Sequence, residues 1–236
     1  MARSGPDGGD QARGGNQRIP RPPSYRAGGP APWADLPPER RRFSLGDVRA
    51  RLADLPPPTD LGPQVDGQQA AAVLAPLYEH AGEAHVVLIK RPDTMPSHQG
   101  EIAFPGGKFD PGVDADLRAT ALREAHEEVG LSPADVEVVA RLDAIGTVAS
   151  RFTITPFVGF LAAHPVLHPS PFEVVRVLEV PLSELLADGV YREEHWDTWR
   201  EGFGVHFYEL EDETVWGATA RILTGFLTHL VRAARA

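Results

Sequence analysis

The chain has 236 residues, of which 42% are hydrophobic and 24% charged, and its formal net charge is −10. That length allows one large domain or two small ones and leaves enough apolar residues for a sizeable core. The negative balance disfavours non-specific binding to nucleic acid or an anionic membrane, both polyanions, and the lack of cysteine excludes disulfides, thiolate metal sites and cysteine nucleophiles. No apolar stretch follows the N-terminal arginines and no run approaches the roughly 20 residues of a membrane-spanning helix. The expectation is a soluble protein of a reducing, cytoplasmic compartment.

Residues 1 to 40 are rich in Gly, Pro, Arg and Asp and poor in large aliphatics. Such a segment predicts a disordered tail, because it has little apolar surface to offset its ordering entropy. A partner-binding arm carrying Arg13, Arg18, Arg21 and Arg26 is the alternative reading. Residues 41 to 67 read as a helix and linker: Ser44 is a candidate N-cap, Leu45, Val48 and Leu52 share a face, and Pro56–Pro57–Pro58 ends the element. The compact domain is expected over residues 68 to 236. Ala70–Tyr78 and Ala84–Lys90 read as paired strands across a turn, and Val136–Val148, Ile154–Ala162, Glu173–Val180 and Val205–Leu210 as further strands. Helices are predicted near Asp116–Val129 and Gly217–Arg235, the second from the stripe Ile222, Leu223, Phe226, Leu227, Leu230. Strands and helices without strict alternation predict an α/β fold with a mixed sheet between helices.

The chemistry concentrates between residues 101 and 131. At about 100° per residue, Glu124, Glu127 and Glu128 project from one face of the first helix, while Leu122, Ala125 and Val129 occupy another. Three like charges on one turn repel each other and oppose the helix dipole, and a hard divalent cation would relieve both penalties. Arg123 lies four residues before Glu127 and is placed to hold its carboxylate. Gly130 suits the helix C-terminus, with Leu131 packing back. Gly106 and Gly107 precede the helix, where glycine permits unusual backbone angles and close approach to a ligand. Glu101 is a candidate further metal ligand, Glu173 a candidate general base, and Arg91 and Lys108 candidate phosphate contacts. His164 and His168 have a zinc-like spacing, but Pro165 and Pro169 break any helix there.

Arg123-Glu124-Ala125-His126-Glu127-Glu128-Val129-Gly130-Leu131 resembles the second half of the Nudix box. The first half departs: Ala115 stands at the early Glu position, with Asp114 as the shifted equivalent in a loop longer by one residue. Leu88-Ile89-Lys90-Arg91, His98-Gln99-Gly100-Glu101, Phe104-Pro105-Gly106-Gly107-Lys108-Phe109-Asp110 and Thr120-Ala121-Leu122-Arg123-Glu124 are similar to the coenzyme A pyrophosphatase branch. Thr155-Pro156-Phe157, Glu173-Val174 and Trp216-Gly217-Ala218-Thr219-Ala220 resemble later landmarks, whereas Pro96 stands where that branch has Arg.

The resemblance implies a Nudix-type α/β/α sandwich that hydrolyses a diphosphate linkage with Mg²⁺ or Mn²⁺. Glu124, Glu127 and Glu128 would bind metal, and Glu127, Glu124, Arg123 and Glu173 would carry catalysis. The implied substrate is coenzyme A or acyl-coenzyme A, cut to 3′,5′-ADP and a phosphopantetheine. Its extra 3′-phosphate calls for positive charge, for which Lys90, Arg91 and Lys108 are the nearest candidates to the glycine loop. An ADP-ribose or NADH pyrophosphatase and a catalytically silent nucleotide-binding module stay open as alternatives, as do monomer and homodimer. The expected partner is a small nucleotide, neither nucleic acid nor membrane.

Overall fold

The computed structural model describes residues 13–59, 68–95, 98–147, 151–196 and 204–233. Its centre is a mixed sheet. Strand β2 (Gln69–His80) and β3 (Glu83–Lys90) form an antiparallel hairpin across Ala81 and Gly82. Both turn residues have positive φ, 49° and 74°, the geometry that matches a two-residue hairpin to strand twist. Where β2 and β3 splay apart, β4 (Ile102–Ala103) pairs with β3 and β5 (Gly106–Lys108) with β2. On the far side of β2 runs β8 (Phe152–Leu161), parallel to it, flanked by β6 (Val136–Arg141) and β7 (Ile145–Gly146). The run expected as one strand over Val136–Val148 thus breaks at Leu142–Ala144, and Val148 lies outside the described residues. Strand β9 (Arg176–Pro181) pairs with the other edge of β3.

Side chains alternate across this sheet, as strand geometry requires. Ala72, Leu74, Val87 and Ile89 face helix α2 (Leu117–Val129), packing with its Ala121, Ala125 and Val129. Ala75, Leu77, Val86 and Leu88 face the opposite way, into a core shared with helix α1 (Leu45–Leu52) and helix α4 (Gly217–Ala233). The result is the α/β/α sandwich expected. Ser44 caps α1 in a reciprocal capping box with Asp47.

A second sheet orders β1 (Arg26–Ala27), β10 (Tyr191–His195), β11 (Gly204–Glu209) and β12 (Thr214–Trp216), with the short helix α3 (Leu182–Leu185) leading into it. Of these strands, sequence patterning anticipates β11 alone. The others are short or carry charged residues such as Arg192, Glu193 and Glu194.

The segment expected to be a disordered tail departs most from expectation; residues 1–12 lie outside the described residues. Trp33 is 1% exposed and lies against Tyr191 and Tyr208 at ring separations of 5.3 and 6.3 Å. Leu36 is buried beside it, and Arg41 Nε donates to the Leu36 carbonyl at 2.6 Å. Arg21 pairs with Glu194 at 3.1 Å, so that arginine serves the chain's own sheet. A mean composition poor in aliphatics conceals one Trp large enough to anchor the segment. The body therefore begins well before residue 68. Among the described residues, no helix is long and apolar enough to cross a membrane.

Candidate active site

Helix α2 starts at the N-cap Asp116, whose carboxylate accepts from Ala119 N–H at 2.8 Å, and stops at Gly130 with φ 75°. Between these caps it presents the acids in graded environments. Glu128 is 3% exposed. Its carboxylate accepts from Gly106 N–H at 2.9 Å and stands 3.5 Å from Arg91 Nη1. Burial pushes the Glu128 carboxyl up to about 8, against the pull of Gly106 and Arg91 and with further push from Glu124 and Glu173. Glu124 is also raised by burial, although Arg123 opposes this, and Glu127 and Glu173 reinforce it. Glu127 is the open member, with half its side chain exposed.

Arg123 organises the group. Its Nε and Nη2 grip the two oxygens of Asp114 at 2.8 and 2.9 Å, while Nη1 reaches Glu124 at 2.8 Å and Glu127 at 3.1 Å. Asp114 is buried and accepts also from Thr120 Oγ1 at 2.9 Å and Asp110 N–H at 3.0 Å. The Arg123 guanidinium holds the Asp114 carboxyl far below the usual carboxylate range. The one-residue shift inferred from the longer loop thus brings Asp114 to Arg123.

The two glycines act on the acids. Neither Gly106 nor Gly107 has the left-handed backbone that Gly-Gly invites one to expect. They form β5, and each is required by close approach. A Cβ on Gly107 would lie 2.4 Å from Glu124 Cδ, and one on Gly106 would lie 2.5 Å from the Ala72 carbonyl oxygen.

Both glycines also border a cavity of about 460 Å³, with Arg91, Glu101 and Lys108 on the same wall. Glu101 is engaged with His98, Oε2 to Nδ1 at 2.8 Å, which raises the imidazole above its ordinary value. Arg91 keeps its Nε buried without a hydrogen-bond partner. Lys108 Nζ lies 5.5 Å from the Phe152 ring centre. Glu173 is exposed, close enough to Glu124 and Glu128 to disfavour their ionisation. His164 pairs with Glu179 at 2.8 Å and His168 packs on Gly130. Pro96 lies outside the described residues.

A second part of the lining comes from β11, β12 and the start of α4: His206, Trp216, Arg221 and Ile222. Sequence reasoning assigned no site role to this part. Its strands are distant in sequence from the acids, and only Trp216-Gly217 stands out as a pattern.

Among the described residues no three His, Asp or Glu side chains already form a closed metal cage. The donor set nonetheless fits a hard divalent cation. Carboxylates on one face resist joint ionisation, and all offer oxygen. A cation would offset the burial that raises Glu128.

Residues 68–200 match the family model described as NUDIX domain. An uncharacterized Nudix hydrolase NudL of Photorhabdus laumondii is 39% identical over 185 residues, covering 77% of this chain and 95% of that one. The peroxisomal coenzyme A diphosphatase NUDT7 of Mus musculus is 37% identical over 179 residues, 75% of this chain and 73% of that one. A solved MutT/nudix family protein from Enterococcus faecalis is 16% identical, with a TM-score of 0.47 over 80% of this chain and 70% of that one.

Proposed function

Because the chain belongs to the NUDIX domain family, we propose that it is a metal-dependent diphosphatase whose substrate is coenzyme A or an acyl derivative. Hydrolysis of a diphosphate linkage in a nucleotide derivative is its general activity. The products of the proposed reaction are 3′,5′-ADP and a phosphopantetheine. The observation that carries the reading is the acidic face of α2, pinned between the β5 glycines and the Arg123–Asp114 pair. Residues 88–124 resemble the coenzyme A branch, and the name of the mouse relative points the same way.

Glu124, Glu127 and Glu128 would hold one or more Mg²⁺ or Mn²⁺ ions, with Glu101 a further ligand from the cavity wall. When bound, such ions supply charge neutralisation at the diphosphate and acidify a coordinated water. Arg123 fixes the Glu124 and Glu127 carboxylates, and the Gly106 N–H orients Glu128. Glu127, open to solvent, accepts the proton of the attacking water, with Glu173 the second acceptor within reach of the cluster. The water oxygen bonds to phosphorus as the bridging P–O bond breaks, and the leaving phosphate keeps that electron pair. Arg91, beside Glu128, and Lys108, beside the glycines, are the cations that contact the phosphates. A chain without cysteine suits a cytosolic setting.

The test compares kcat/KM for coenzyme A, ADP-ribose and NADH under one metal condition. Coenzyme A is expected to lead by tenfold or more, about 1.4 kcal/mol in the transition state. A tenfold lead for ADP-ribose or NADH would overturn the coenzyme A assignment.

A further inference from the structure

Of the three cations that sequence proximity nominates for a second phosphate, two are already engaged by carboxylates. Lys90 Nζ bonds to Glu213 at 2.7 Å, and Arg91 leans on the buried Glu128 at 3.5 Å. Lys108 lies on β5 beside the two glycines. Arg221, the fifth residue of α4, also lines the cavity and is exposed. Among the described residues it has no carboxylate within salt-bridge distance, and α4 contains neither Asp nor Glu. In a chain of net charge −10, this is a positive charge without a counter-ion among the described residues. Its place near the start of α4 adds to the positive end of the helix.

His206 adjoins it on the same wall. Burial lowers the imidazole below its ordinary value; Arg221 pushes the same way and Glu193 opposes. The Tyr191 hydroxyl lies 2.8 Å from His206 Nδ1, and burial keeps that phenol protonated. A neutral His206 that accepts from Tyr191 through Nδ1 carries its own proton on Nε2, a donor for an anion. The same cavity is lined by the apolar side chains of Phe152, Ile154, Trp216 and Ile222. The cavity thus borders β5, the strand whose glycines touch Glu124 and Glu128, and it also carries apolar residues and the Arg221 guanidinium, which has no carboxylate partner among the described residues.

We propose that Arg221, assisted by His206, forms a subsite for a phosphomonoester separate from the scissile diphosphate, which on coenzyme A is the 3′-phosphate. This inference rests on the reading that the diphosphate is cut beside the α2 carboxylates. The arrangement selects nucleotides phosphorylated twice over, once in the anhydride and once on the ribose. A guanidinium suits this task because it can donate two parallel hydrogen bonds to one phosphate.

The experiment titrates the full-length protein and its Arg221→Gln and Arg221→Lys variants with 3′,5′-ADP and with AMP by calorimetry, after thermal melts confirm folding. Wild type is expected to prefer 3′,5′-ADP by about tenfold or more. Arg221→Gln should reduce that ratio to about twofold, and Arg221→Lys should restore part of it. A ratio unchanged in Arg221→Gln, or equal affinities in wild type, overturns the subsite. Turnover of coenzyme A and dephospho-coenzyme A is measured alongside. If wild type cleaves neither, the proposed reaction fails, and the ADP-to-AMP ratio still decides the subsite.

Discussion

Arg123 spends its whole guanidinium on order: two donors on Asp114, one shared by Glu124 and Glu127, and a contact to the Lys108 carbonyl at 3.2 Å. Asp114→Asn keeps the shape and removes the charge. Breaking such a buried pair should cost about 1–3 kcal/mol, measurable by urea unfolding at pH 7. The Asp114 carboxyl is depressed below its usual 3.8, so this contribution is complete above that value and is lost as the pH falls below it. The variant should therefore show a shallower loss of stability in acid than wild type. Glu128 has the opposite sign. Raised from 4.5 to about 8, it binds a proton in the folded state that the unfolded chain has released. Metal-free protein should lose stability as the pH rises from 4.5 to 8, and Glu128→Gln should remove that loss. A wild-type profile flat across this window would contradict the burial argument. For Glu127→Gln, turnover should fall by about 100-fold or more while the melting temperature holds. Equal loss of folding and activity would count against a role in the reaction.

At the scale of elements, the site is a helix pinned to a strand. The α2 acids, the C-terminal Gly130 and the capping of α1 were legible in the sequence, because helix periodicity and caps depend on neighbours a few residues away. The task of the glycines was misjudged for the same reason: Gly107 is small to admit Glu124, seventeen positions on, and only the packed structure shows it. Gly107→Ala should displace that carboxylate and lower kcat/KM by about 10–100-fold with a modest change in stability. Unchanged kinetics would mean that Glu124 relaxes without consequence. The N-terminal segment was misread because composition averages over it, whereas a few residues, Trp33 and Leu36 foremost, anchor it. Trp33→Ala should cost about 3–5 kcal/mol, and removal of residues 1–40 should destabilise the fold rather than leave it intact. A loss below about 1 kcal/mol in urea unfolding would show that the indole contributes little packing.

At the scale of the whole molecule, a negatively charged chain concentrates cations around one cavity, where the proposed nucleotide would bind. Arg91 and Lys108 stand on the wall formed by the large sheet, and Arg221 on the wall formed by the small sheet and α4. The first wall was visible as a run of motif residues between positions 91 and 108. The second is assembled from strands joined late in the chain, and no local pattern announces that they share a cavity with the glycine strand. The most direct test of the account is product analysis by mass after incubation of coenzyme A with the full-length protein, with and without Mg²⁺ or Mn²⁺, beside Glu127→Gln. The account predicts 3′,5′-ADP and phosphopantetheine in equal amounts, only with metal, and almost none from the variant. Cleavage that persists without metal, or at an undiminished rate in Glu127→Gln, would contradict it.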